Sequence, residues 1–263
     1  MFHNIGQKIF RIHFYAFVAL TYVPIILLII FSFNDSHRVG FPLTGFTLEW
    51  WKMFFSDASA MGAVQNSFLI ASITAVVAIA IGIPAAFALV RHFFRGKNLI
   101  TSLVVLRLCL PSVVIGVALL LFIRVVLDVE LSKFTIILGH LLLAIPYTIL
   151  ILMARLIGFD RSLEEAACDL GANEFTAFRK ITLPIIMPGI FTALIVGFII
   201  SLEDVVVAHF LSGFETTIPV LVFSLMRRAY GVPLVTAMSA FMVAIVMAGL
   251  IVSVILARRA ART

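Results

Sequence analysis

Charge is what this chain has least of. Asp, Glu, Lys and Arg make up 12% of its 263 residues, against roughly a quarter in soluble domains. With 63% hydrophobic residues and a mean hydropathy of +1.19, too little polar surface remains to cover a soluble globule. Cysteine is nearly absent: Cys109 lies inside an apolar block and Cys168 in a polar loop. Neither has metal-ligand spacing, so a disulfide framework and a zinc module are excluded and two free thiols are expected. The strict apolar/polar alternation of a membrane β-barrel is missing. So is the phosphate-cradling GxxxxGK[ST] pattern, which places any ATP chemistry outside this chain. No Ser-His-Asp set and no His/Cys/Asp/Glu cluster is arguable, so no catalytic residue, metal site or bound cofactor is expected. The net charge of +6 is not gathered on one face, which argues against a nucleic-acid partner.

What is present is apolar sequence in blocks long enough to cross a bilayer, about 20 residues each. Six are placed, at roughly 13–33, 63–90, 99–123, 134–155, 184–208 and 233–257. The expectation is an all-α integral membrane protein with six transmembrane helices in a single domain over residues 1–263, in contact with the lipid bilayer. The basic N-terminal stretch precedes a block too long for a signal-peptide core and no Ala-x-Ala site follows, so it reads as a retained first helix. Lys8, Arg11, Arg91, Arg95, Lys97, Arg155, Arg161, Arg179, Lys180, Arg258, Arg259 and Arg262 fall on one side. Arg38, Lys52, Arg124, Lys133, Arg227 and Arg228 fall on the other. Twelve against six sets both termini in the cytoplasm. Pro24, Pro84, Pro111 and Pro146 interrupt blocks and are expected to kink them.

The longest polar interval on that cytoplasmic side, roughly 158–183, is not a passive tether. Asp160 or Ser162 can cap a helix whose first turn carries Glu164 and Glu165, carboxylates suited to the positive end of its dipole. Gly171 is a plausible stop. A second short helix begins near Asn173, carries Phe175 and Phe178, and ends near Arg179 and Lys180 before Pro184 opens the next span. A basic-aromatic loop of this kind can lie on a lipid surface. Glu164, Glu165, Asp169 and Glu174 would be repelled by anionic lipid, which favours a protein partner.

Within that loop, Glu165-Ala166-Ala167, three residues, Gly171, nine residues, Ile181, one residue and Leu183-Pro184 match the signature of bacterial binding-protein-dependent ABC importer permeases at every fixed position. The stretches Thr21–Ser36 and Ser201–Arg227 extend the likeness along the chain. They resemble the second permease subunit of the spermidine/putrescine importer group. The resemblance implies the type I importer permease fold, in the bacterial inner membrane. It also implies a coupling helix seated in a groove of a separate ATPase, where ATP and Mg are bound. Leu163, Glu164, Glu165, Ala166, Ala167, Asp169 and Gly171 would form that contact, Gly171 allowing the bend and a close approach. The implied partners are two ATPase copies, a second permease subunit in a heterodimer, and a periplasmic binding protein. The last would dock on outer loops around Asp35–Ala60 and Phe210–Val232.

Ionisable groups at membrane depth are costly and default to functional hypotheses. Glu203 and Asp204, toward the outer end of the fifth block, form a dicarboxylate suited to a polycation such as putrescine or spermidine. Members of the resembled group carry acidic residues there. Arg107, four residues before Pro111, points the other way, toward an anionic or zwitterionic solute such as a phosphonate, a carboxylate or an amino-acid derivative. Ser112, where that group often carries an acidic residue, points the same way. His140, in the first turns of the fourth block, is expected to be capped or solvated. An ion-coupled secondary transporter would require an inverted repeat, which is not evident, and a non-transport scaffold would leave the Glu165–Pro184 signature unexplained.

Overall fold

The computed structural model describes residues 2–36, 40–227 and 232–260, and among them the chain is helical. In order it forms α1 (Phe2–Phe31), α2 (Glu49–Ser56), α3 (Ala58–Arg91), α4 (Lys97–Cys109), α5 (Ser112–Leu121) and α6 (Lys133–Ile157). There follow α7 (Ser162–Asp169), α8 (Glu174–Ala177), α9 (Leu183–Glu203), α10 (Val206–Leu211), α11 (Ile218–Met226) and α12 (Val232–Ala260). The basic residues Arg38, Arg228 and Arg262 of the orientation count lie outside the described residues.

Among the described residues five helices are long and apolar enough to cross a membrane: Phe10–Phe31, Ala58–Arg91, Lys133–Ile157, Glu174–Glu203 and Val232–Ile255. The sixth expected span is not one straight helix. Its two halves, Lys97–Cys109 and Ser112–Val126, meet at 105°. The break has a local cause. A residue preceding proline is pushed out of the helical region, and Leu110 and Pro111 are extended, with ψ of 131° and 132°. Hydropathy summed along 99–123 registers the apolar length and not this change of direction.

The fifth span differs at both ends. It starts at Glu174 rather than at Pro184, because α8 runs through a π-helical turn, Phe178–Thr182, directly into α9. It stops at Glu203, where Asp204 turns extended, and a separate short α10 follows.

Two compact units are distinguished, residues 1–61 with 222–244 and residues 62–221 with 245–263. In the first, the Trp50 indole Nε1 donates to the Asn34 carbonyl at 2.9 Å and Phe54, fully buried, meets the Phe241 ring edge-on at 5.3 Å. In the second, α6 packs along α9, and α10 packs on α5 and α6. One core cluster joins Ile70, Ile136, Leu143, Val207 and Leu211, and another joins Ala86, Leu152, Leu156, Ile186 and Ala193. Small residues let backbones approach, as membrane helices favour: a Cβ on Gly197 would lie 3.7 Å from the Ala75 Cα. Helix α6 is started by a capping box in which Ser132 and Thr135 exchange side-chain and backbone hydrogen bonds.

Candidate functional site

The signature loop folds as a short helix held at both ends. Asp160 Oδ1 accepts from the Ser162 amide at 3.0 Å, an Asx turn that launches α7. The amide, and after it the Ser162 hydroxyl, hold the Asp160 carboxyl below its usual range. At the other end the Ala172 amide bonds the Ala167 carbonyl at 3.0 Å and the Gly171 amide bonds the Cys168 carbonyl at 2.9 Å. That pair is a Schellman motif, with Gly171 at φ +92°. Glycine is required there for the left-handed turn. A Cβ would meet nothing within 4 Å, so no close approach within this chain demands it.

The residues expected to dock divide by face. Leu163, Glu165, Ala166 and Asp169 are exposed, as is Gly171, and Ala167 is half-buried. The Glu165 side chain is 64% exposed and among the described residues pairs with Arg161, one turn back, at 3.2 Å. Glu164, about 100° around the helix, turns toward the protein. Its side chain is 16% exposed, approaches Arg91 of α3 at 3.5 Å and accepts a hydrogen bond from the buried Thr182 hydroxyl. Leu170, 90% exposed, and Phe175, 71% exposed, extend the outer apolar surface. The signature passes over both. An exposed leucine at a helix end in a polar loop is the signal that could have found Leu170. A cleft of about 720 Å³ opens beside α7, lined by Phe87, Arg91, His92, Arg161, Phe175 and Phe178 among others.

The second set of residues gathers where α9 breaks. Asp204 Oδ2 accepts from the Ala208 amide at 2.9 Å and so caps α10. The same oxygen lies 3.4 Å from His140 Nε2, within ion-pair range but not an aligned hydrogen bond. His140 Nδ1 is 2.7 Å from the Ser201 hydroxyl. His140 is fully buried, neither capped nor solvated as the sequence suggested, because α9 and α10 close over its helix. That closeness depends on Gly139, where a Cβ would come within 2.5 Å of Leu211 and 2.6 Å of Val207.

Arg107, in the last turn of α4, is half-buried and has Asp204 and Tyr147 as electrostatic neighbours. Ser112 opens α5, half-buried, with no hydrogen bond from its side chain among the described residues. Glu203, the last residue of α9, is exposed and has Asp204 as its charged neighbour. The structure therefore brings Arg107, Glu203 and Asp204 together and adds His140, Ser201 and Tyr147. The cost of a lone cation at membrane depth already suggested Glu203 or Asp204 as a partner for Arg107, whereas spacing along the chain carried no sign of His140, Ser201 and Tyr147 in the group. Just beyond the break, Asn66 Nδ2 donates to Glu215 at 3.1 Å and to the Thr216 carbonyl at 3.0 Å. The Ile218 amide donates to Ser67 Oγ at 2.8 Å, pinning the α10–α11 connection to α3.

Chemically, these arrangements can bind and move but hold nothing resembling a reaction centre. Among the described residues no group of three His, Cys, Asp or Glu side chains could hold a metal ion. Cys109 and Cys168 are free and exposed.

Comparison with known proteins agrees with this picture of a transport component. The family described as binding-protein-dependent transport system inner membrane component matches residues 78–262. The spermidine/putrescine transport system permease protein PotC of Escherichia coli K12 is 34% identical over 244 residues, 92% of this chain and 91% of the relative. That of Haemophilus influenzae is 35% identical over 242 residues, 92% and 93% of the two chains. The putrescine transport system permease protein PotI of Escherichia coli K12 is 38% identical over 213 residues, 78% and 75% of the two. Among solved structures, a bacterial ABC transporter involved in the import of the acidic polysaccharide alginate superposes with a TM-score of 0.74 at 18% identity, covering 95% of each chain. The MetNI methionine ABC transporter, inward-facing, gives 0.64 at 16% identity over 75% of this chain and 94% of that one. At such identities these two structures speak for the fold alone. Fold, signature loop and family match converge: the chain belongs to the binding-protein-dependent transport system inner membrane components.

Proposed function

We propose that this chain is the permease subunit of an ATP-driven importer of polyamines such as putrescine and spermidine. It sits with both termini and the 158–183 loop in the cytoplasm. The relatives with that cargo in their names align over nine-tenths of the chain. The observation that carries the cargo reading is the pair of adjacent carboxylates at the α9 break, Glu203 exposed and Asp204 next to it. An anionic or zwitterionic solute is the second reading, favoured by Arg107, whose Nε is buried without a hydrogen-bond partner among the described residues.

In this reading the outer face of α7, with Leu163, Glu165, Ala166, Asp169 and Leu170, meets the ATPase, and Ala167 and Gly171 shape its end. Two ATPase copies, a second permease subunit and a periplasmic binding protein complete the assembly. ATP-driven closure of the ATPases biases an inward- against an outward-facing equilibrium through this helix. Thermal-shift screening of the cognate binding protein against putrescine, spermidine, amino acids and phosphonates tests the cargo. Stabilisation by polyamines is expected, and stabilisation by an anion alone would overturn the assignment.

A further inference from the structure

Glu164 departs from the rest of the signature helix in what it touches. Arg91 belongs to the last turn of α3, Glu164 to the first turn of α7, and Thr182 to the π-helical turn at the foot of α9. One carboxylate therefore holds three elements: Oε2 faces Arg91 Nη2 at 3.5 Å and Oε1 accepts from the Thr182 hydroxyl. The Arg91 contact is an ion pair rather than an aligned hydrogen bond, and aromatic neighbours pack around both partners. The Arg91 guanidinium lies over the Phe159 ring at 5.1 Å, a cation–π contact. The Phe87 ring of α3 meets Phe178 of the π turn edge-on at 5.3 Å. Thr182 is fully buried, and its hydroxyl has a specific partner in Glu164. Single π turns recur at functional joints in helices, and this one joins the loop to a membrane span.

We propose that Glu164 is a positioning residue. It clasps the signature helix to α3 through Arg91 and to α9 through Thr182, so that displacement of α7 is delivered to both spans as one movement. The outward side of the same helix carries the ATPase contact, and the inference rests on that docking reading. The Glu164 carboxylate is engaged by Arg91 and Thr182 within the chain. A residue that transmits without docking has a distinct signature: its loss separates ATP hydrolysis from transport while leaving the complex assembled.

The test uses the full importer reconstituted in proteoliposomes with its ATPase, second permease and binding protein. Glu164→Gln, Thr182→Val and the exchange Arg91→Glu with Glu164→Arg are compared with wild type. Co-purification of the ATPase and the ratio of solute transported to ATP hydrolysed are measured. Glu164→Gln and Thr182→Val are expected to co-purify normally while the ratio falls about tenfold, within the ordinary range of coupling free energies. The exchanged pair, which restores opposite charges between α3 and α7 but not the acceptor for Thr182, is expected to recover part of that ratio relative to Glu164→Arg alone, measured alongside. Thr182→Val keeps the charge pair and the side-chain shape, so it tests the α9 arm even if charge variants fold poorly. An unchanged ratio in Glu164→Gln and Thr182→Val, co-purification falling in step with transport, or no recovery in the exchanged pair would overturn the inference. Failure of the wild-type permease to co-purify with the ATPase would overturn the docking reading, and the inference with it.

Discussion

Glu164 and Glu165 are adjacent in sequence and differ in what they touch. Successive residues of an α-helix are about 100° apart, so both line the cleft beside α7 but only Glu164 reaches back to the body of the protein. The structure turns Glu164 onto Arg91 and Thr182 and leaves Glu165 at 64% exposure. Substitution on the outer face should cost the permease little stability, under about 0.5 kcal/mol for a surface change. It should nevertheless abolish assembly. Glu165→Lys and Leu170→Asp are expected to keep membrane insertion and thermal midpoint while losing co-purification with the ATPase. Normal co-purification of both variants would remove α7 from the interface.

The approach of α10 to α6 is a packing claim with its own test. With Leu211 and Val207 pressed against the Gly139 site, Gly139→Val must displace buried side chains, and overpacking of this kind costs about 1–3 kcal/mol. Thermal unfolding in detergent should show a lowered midpoint. Because Gly139 lies near the start of α6, at the end away from α7, ATPase co-purification should be unchanged. An unshifted midpoint would mean that α10 does not rest on α6 as described.

His140 links α6 to the break in α9. Replacing it with leucine deprives the Ser201 hydroxyl of its 2.7 Å partner and removes the imidazole beside Asp204. Leaving a buried polar group unsatisfied costs about 1–3 kcal/mol. His140→Leu is expected to lower the thermal midpoint and to reduce transport further than that loss of stability accounts for, since Asp204 loses a neighbour. Transport per folded molecule equal to wild type would dissociate His140 from the solute path.

The Asx turn at Asp160 predicts a pH dependence confined to the start of α7. Hydrogen bonds from Ser162 lower the folded-state pKa of this exposed carboxyl. The stabilisation is therefore present above the ordinary carboxylate pKa and is lost as pH falls through the lowered value. Amide-exchange protection at Ser162 and Leu163, relative to the intrinsic rate at each pH, should fall over that acidic window in wild type. In Asp160→Ala it should be low above the window, show no such step, and meet the wild-type value below it. Identical profiles would exclude the capping role.

Much of this was legible in the residues because the signals are local. Five of six spans follow from apolar length, and the start and stop of α7 follow from Asp160, the paired glutamates and Gly171. The bend at Pro111 was half legible. Proline announces a disruption, but whether a span kinks gently or turns by 105° is decided by what α4 and α5 pack against. The second helix of the loop does not end before Pro184 as the proline suggests, because the π turn carries it through, the Leu183 amide bonding the Phe178 carbonyl, and only neighbouring elements decide that continuation. The cluster at the α9 break was hidden. His140 and Ser201 are 61 residues apart, and an isolated histidine in an apolar block carries no mark of the partner it will meet. Which of Glu164 and Glu165 faces inward depends on Arg91, far upstream, and no property of the loop alone contains that choice.

The central claim is that this chain moves polyamine on ATPase-driven motion of the signature helix. It is tested most directly by uptake of radiolabelled putrescine and spermidine into proteoliposomes holding the complete importer. The account predicts uptake that requires ATP and the binding protein, is competed by unlabelled polyamine but not by a phosphonate, and disappears in Glu165→Lys. Uptake that persists without the ATPase, or that carries only an anionic solute, would contradict it.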